Sequence, residues 1–259
     1  MLLQRCLTAA LLLSLVIASI TFAPPMVLNA LGVLMLFGCI LEWCGLLPEK
    51  RPLYKVGFIV LFFISLFLSR PYFLIYQLLG AGLWLVLLIS LFYFPRRQPW
   101  GTSPFVALLG LIILPLAASS MSAMLLMPQG RMLFLYLIAL VSAADTGGYF
   151  IGKQWGQAKL IPWVSPGKTI IGTLGGFMTA FAVSQWAWFY FNQNSWSLWT
   201  FQALCTILMA IVGDLSISML KRRVHCKDTG TLLPGHGGLL DRLDSLLAAA
   251  PIFYGCYFL

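Results

Sequence analysis

The sequence predicts an all-α fold: a polytopic integral membrane bundle of about nine transmembrane helices, with its N-terminus on the cytoplasmic side. Three observations carry that prediction. The 259 residues are 61% apolar and only 9% charged, at a mean hydropathy of +0.94, whereas soluble domains carry about 25% charged residues. Nine apolar runs approach the length needed to cross a bilayer, which is roughly 20 residues. Basic residues collect in alternate connections, as cytoplasmic loops do.

The first run, 6–23, follows Arg5 and resembles the core of a signal peptide. It is long for that role, and Pro24 and Pro25 lead straight into a second run, so it is read as a retained first helix. The second run, 26–47, contains Glu42. The third to fifth, at 54–70, 72–94 and 104–127, carry no acid. The sixth, 131–148, ends near Asp145, and a Gly-rich loop is expected from Asp145 to Gly172. The seventh, 170–192, and the eighth, 199–219, follow, with Asp214 well inside the eighth. The ninth, 243–259, closes the chain. Residues 1–130 thus form an N-terminal set of helices, and 131–259 form a C-terminal set that carries the catalytic loops.

Fourteen of the sixteen Lys and Arg fall on one side of this arrangement, and only Arg70 and Arg131 fall on the other. The net charge of +9 is therefore read as cytoplasmic loops and an anionic substrate, not as nucleic-acid binding. The six cysteines form no CxxC pair and read as small buried hydrophobes. His225 and His236 lack the partners that a zinc site needs.

The seven acids are scarce and oddly placed. Asp214 inside an apolar run is costly, by about 2.5–3.5 kcal/mol on insertion scales, and such a group is a functional candidate by default. Asp241 and Asp244 are three apart, so on a helix they share a face. Gly237 and Gly238 precede them, which gives a glycine-rich loop entering a helix N-terminus, a ready anion site. Two carboxylates beside it would hold Mg²⁺, which takes one or two carboxylates plus phosphate oxygens. In the other loop, "SPGKT" is not a P-loop, because its first glycine and spacing are missing. Its Ser165, Lys168 and Thr169 still suit phosphate.

The segment from Ser218 to Asp244 then carries a resemblance. Ser218-x-Leu220-Lys221-Arg222, Lys227-Asp228-x-Gly230 and Pro234-x-His236-Gly237-Gly238-Leu239-x-Asp241-Arg242-Leu243-Asp244 resemble the signature of phosphatidate cytidylyltransferases. "GDL" at Gly213, "DTGGYFIGK" at Asp145, "SPGKT" at Ser165 and Glu42-Trp43 are similar to other blocks of that family. The resemblance implies transfer of a cytidylyl group from CTP to phosphatidate at the membrane face. It implies Mg²⁺ on Asp214, Asp241 and Asp244, a potassium ion nearby, and a homodimer, while the compact length favours the bacterial inner membrane. Lys221, Arg222, Lys227 and Arg242 would neutralise phosphate charge, Asp228 belongs to the same signature, and His236 would orient phosphate. Asp145, Ser165, Lys168, Thr169, Gly237 and Gly238 would bind the nucleotide. Two positions depart from the family, which carries Glu where this chain has Ile171 and Ile217. A CTP-dependent polyprenol kinase, a weakly active paralogue and a transporter are the alternative readings.

Overall fold

The computed structural model describes residues 14–49, 51–95, 102–191, 195–232 and 237–257. Residues 14–22 form α1. It is followed by α2 (Pro25–Leu46), α3 (Pro52–Ser69), α4 (Phe73–Tyr93), α5 (Ser103–Leu125) and α6 (Gly130–Trp155). A hairpin of β1 (Lys159–Ile161) and β2 (Ser165–Thr169) leads into α7 (Ile170–Phe191), α8 (Trp196–Arg223) and α9 (Leu240–Cys256). Seven helices, α2 to α8, are long and apolar enough to cross a membrane, and α9 has 17 residues. Prolines in the first turns of α2, α3 and α5 suit helix starts, where a missing N–H costs nothing.

One expectation is corrected. The loop from Asp145 to Gly172 is mostly ordered secondary structure: α6 runs on through Asp145 to Trp155, and "SPGKT" is strand β2. The reason is a seam of small residues. A Cβ on Gly176 would stand 2.2 Å from the Ala144 carbonyl oxygen, and one on Gly172 would stand 2.7 Å from that of Gly148. With no side chains between them, α6 and α7 pack backbone to backbone, as membrane helices do where lipid offers no hydrophobic drive to association. The glycines that read as a loop are the packing face of a helix.

Antiparallel α8 and α9 form the centre. Lys221 meets Asp241 at one end, and Gln202 Nε2 donates to the Phe253 carbonyl at the other, at 2.8 Å. Ser245 to Pro251 of α9 are buried throughout. One apolar core joins residues of α2–α5 to α8 and α9, and a second joins α6 and α7 to the same pair. Polar groups inside are used to stitch helices. Pro115 in α5 cannot donate to the Leu111 carbonyl, and the Ser65 hydroxyl of α3 donates to it instead.

Candidate active site

The expected site residues gather at one end of the bundle, where α2 and α8 end and α7 and α9 begin. The β1–β2 hairpin is pinned there. Val164 at its turn is fully buried, and Arg222 donates from Nε to the Val164 carbonyl at 3.2 Å and from Nη1 to that of Cys226 at 3.3 Å. Arg222 thus ties the hairpin to the end of α8. That end is a Schellman motif. The Cys226 amide donates to the Lys221 carbonyl and the His225 amide to that of Arg222, both at 3.1 Å. His225 takes the left-handed position with φ 57°.

Three carboxylates from three helices lie near enough beside the hairpin for their charges to interact. They are Asp145 of α6, Asp214 of α8 and Asp244 of α9, and the charge of Asp214 acts on both of the others. Lys168 of β2 donates to Asp214 Oδ2. Ser218 Oγ donates to Oδ1 at 3.4 Å. The Ser245 amide donates to Asp244 Oδ1 at 2.8 Å. A cleft of about 520 Å³ opens beside Asp145 and Lys168. Asp145, Gly148 and Lys153 line it from α6, Lys159, Ser165 and Lys168 from the hairpin, and Ala210 and Ile211 from α8. It therefore places lysines and a hydroxyl on one wall and a carboxylate on another.

Asp241 does not share the surroundings of Asp244, although both lie on α9. Its Oδ1 accepts from Lys221 Nζ at 2.7 Å, and its Oδ2 accepts from the amides of Thr229 at 2.8 Å and Gly238 at 3.1 Å. Asp241 sits in the first turn of α9, ahead of the apolar run that begins at Leu243. Burial pushes its carboxyl upward, but the bond from Lys221 and the two amides outweigh that and hold it below the usual aspartate value. Lys221 and Asp241 are each only 9% exposed in their side chains, so this is a buried pair.

The other expected residues divide. Lys227, Asp228 and Arg242 are exposed around the site. Gly237 holds φ 85° beside the Asp228 side chain, and Gly238 supplies an amide to Asp241. Thr169 caps α7: its hydroxyl accepts the Gly172 amide at 3.1 Å. His236 lies outside the described residues. Glu42, given no catalytic or ligand role from sequence, turns out to be central. It accepts the amides of Leu239 and Leu240 and the Thr229 hydroxyl, at 2.9, 2.8 and 2.7 Å. Its signal was its place as an ionisable group within an apolar run.

Comparison with known proteins places the chain in a family. Residues 3–259 match the model of the cytidylyltransferase family. The chain is 34% identical to a phosphatidate cytidylyltransferase of Haemophilus influenzae, an alignment covering all of this chain and 99% of that one. It is 40% identical to the uncharacterized protein YnbB of Escherichia coli over 57% of this chain and 53% of that one. It is 32% identical to a phosphatidate cytidylyltransferase of Rickettsia felis over 79% of this chain and 89% of that one.

Proposed function

The chain belongs to the cytidylyltransferase family, and on that premise we infer that it transfers the cytidylyl group of CTP to phosphatidate, giving CDP-diacylglycerol and pyrophosphate. The observation that carries this is the full-length likeness to a phosphatidate cytidylyltransferase, and Asp145, Ser165 and Lys168, from blocks similar to that family's, line one cleft. It is a multi-pass membrane protein. The bundle meets the demand of the reaction, since acyl chains remain in lipid while the head group meets water-soluble CTP.

The chemistry asks for positioning and charge neutralisation more than for covalent work by the protein. A phosphate oxygen of phosphatidate attacks the α-phosphorus of CTP. A new P–O bond forms, the bond to the β-phosphate breaks, and pyrophosphate carries the electron pair away. Phosphatidate is already anionic, so no general base is needed. Lys153, Lys159 and Lys168 face the cleft and offset phosphate charge. Ser165 offers a hydroxyl to the same phosphates.

Among the described residues no three metal-ligating side chains form a ready-made cluster. The fit to a divalent cation rests on charge and donor type. Asp145, Asp214 and Asp244 act on one another electrostatically, and the ammonium of Lys168 on Asp145 and Asp214 and that of Lys221 on Asp244 answer them. All are oxygen donors, as Mg²⁺ prefers. Asp214 and Asp244, with Asp145, would hold Mg²⁺, which when bound neutralises phosphate charge. Asp241 has both oxygens engaged elsewhere. The distribution of basic residues supports a cytoplasmic face for this end of the bundle, in a bacterial inner membrane.

The test uses membranes containing the protein, with phosphatidate, labelled CTP and Mg²⁺. Labelled CDP-diacylglycerol and pyrophosphate are expected, and both are lost in Asp214→Asn. Release of CDP with a phosphorylated lipid would mean a kinase instead, and no product above membranes without the protein would reject the transferase.

A further inference from the structure

Glu42 stands in α2, far in sequence from the signature, yet its carboxylate is committed to it. It is 5% exposed. Oε1 accepts the Leu239 amide, and Oε2 accepts the Leu240 amide and the Thr229 hydroxyl. The first amides of a helix have no intrahelical acceptor, and α9 has no cap from the side chain of its own N-cap residue, Leu239. Glu42 supplies that cap from another helix, where the positive end of the α9 dipole also favours its charge.

The surroundings are built around this carboxylate. A Cβ on Gly230 would lie 2.6 Å from Oε1, and one on Gly238 would lie 2.6 Å from Oε2. The segments that Glu42 touches are the ones Asp241 grips, through the amides of Thr229 and Gly238. The two carboxylates therefore hold one loop from two sides. Asp244 follows Asp241 by less than one turn, so whatever fixes the start of α9 also fixes how Asp244 meets Asp214. In α2 itself, only the half from Gly38 onward is buried.

We propose that Glu42 is a positioning residue for cytidylyl transfer: it locks the signature loop and the start of α9 so that Asp244 faces Asp214. It does not line the cleft and touches no reacting group. This rests on the transferase reading above, and the experiment separates the two.

The full chain is compared with Glu42→Gln, which keeps the size but replaces one acceptor oxygen by a donor facing donors. Three readouts are taken: turnover, the Mg²⁺ concentration for half-maximal rate, and hydrogen exchange. Turnover per folded molecule is expected to fall about 10–100-fold, the usual cost of losing a group that orients ligating residues. The Mg²⁺ requirement should rise, and exchange should quicken at residues 229–230 and 238–240 but not in α3–α5. A purely structural role would lower the melting temperature and yield, with turnover and Mg²⁺ requirement per folded molecule unchanged, and that result would overturn the proposal. If Glu42→Gln does not accumulate, Gly230→Ala displaces the same carboxylate and should give the same three changes. Their absence would equally overturn it. A wild-type protein with no transferase activity would defeat the functional reading instead, and the exchange experiment would then decide whether Glu42 locks the loop.

Discussion

Asp241 and Asp244 are chemically identical and three residues apart, yet their substitution should give opposite phenotypes. Asp241→Asn leaves the Lys221 ammonium buried without its counter-charge and turns an amide donor toward the Thr229 and Gly238 amides. Removing one partner of a buried pair costs about 3–5 kcal/mol, so a clear drop in melting temperature is expected in detergent. Asp244→Asn instead relieves crowding with Asp214 and Asp145. Its melting temperature should hold or rise while transfer activity is lost, and assays of both on the same preparations check the contrast. A second pair of residues tests the departures from the family. Ile217 is fully buried, and the cation one turn on, Lys221, is already taken by Asp241. Ile217→Glu should therefore destabilise by about 3 kcal/mol or more. Ile171 is 42% exposed in the first turn of α7, where a negative charge is favoured. Ile171→Glu should leave the melting temperature within about 0.5 kcal/mol equivalent of the parent.

At the scale of elements, the α6–α7 seam and the α8 terminus make the sharpest predictions. Gly176→Ala would bring a Cβ to 2.2 Å from a backbone oxygen, which no side-chain rotation can relieve. The helices must part, and the cleft that both line must change shape. The variant should melt earlier and lose activity, while Gly167→Ala, with open space around it, should leave the melting temperature unchanged. His225 takes a left-handed conformation that costs a side-chain-bearing residue roughly 1–2 kcal/mol. His225→Gly should accordingly raise stability by up to about 1 kcal/mol, read as a higher melting temperature. The element boundaries were legible where apolar runs ended in proline or charge. They were misread where Gly147, Gly148 and Gly152 continue α6, because a glycine in a helix seam and a glycine in a loop look alike until the neighbouring helix is in place.

For the whole molecule, the excess of basic residues at the site end predicts one orientation. In a cysteine-free background, Lys159→Cys and Lys227→Cys should react with an impermeant maleimide only from the cytoplasmic side. Ser197→Cys, at the start of α8, should react only from the other. All three positions are exposed. Reversed labelling would overturn the orientation. The two cores explain why the halves act together, since α9 packs against helices from both ends of the chain.

The sequence by itself determined the class of protein, the approximate spans and the segment where charge gathers. Each is a local property: twenty apolar residues suffice for a span, and a dense cluster of charge stands out in an apolar chain. The resemblance of the Ser218–Asp244 segment then named the reaction. Only the tertiary structure decided which carboxylate meets which partner. Helical spacing put Asp241 and Asp244 on one face, but α9 passes from the signature loop into the bundle within that single turn. Asp241 therefore meets Lys221 and loop amides, while Asp244 meets Asp214. Glu42 was visible as a buried charge, but its partners lie almost 200 residues away, 197 and 198 positions along the chain. No spacing rule reaches that far; the contact exists because α2 packs beside α9.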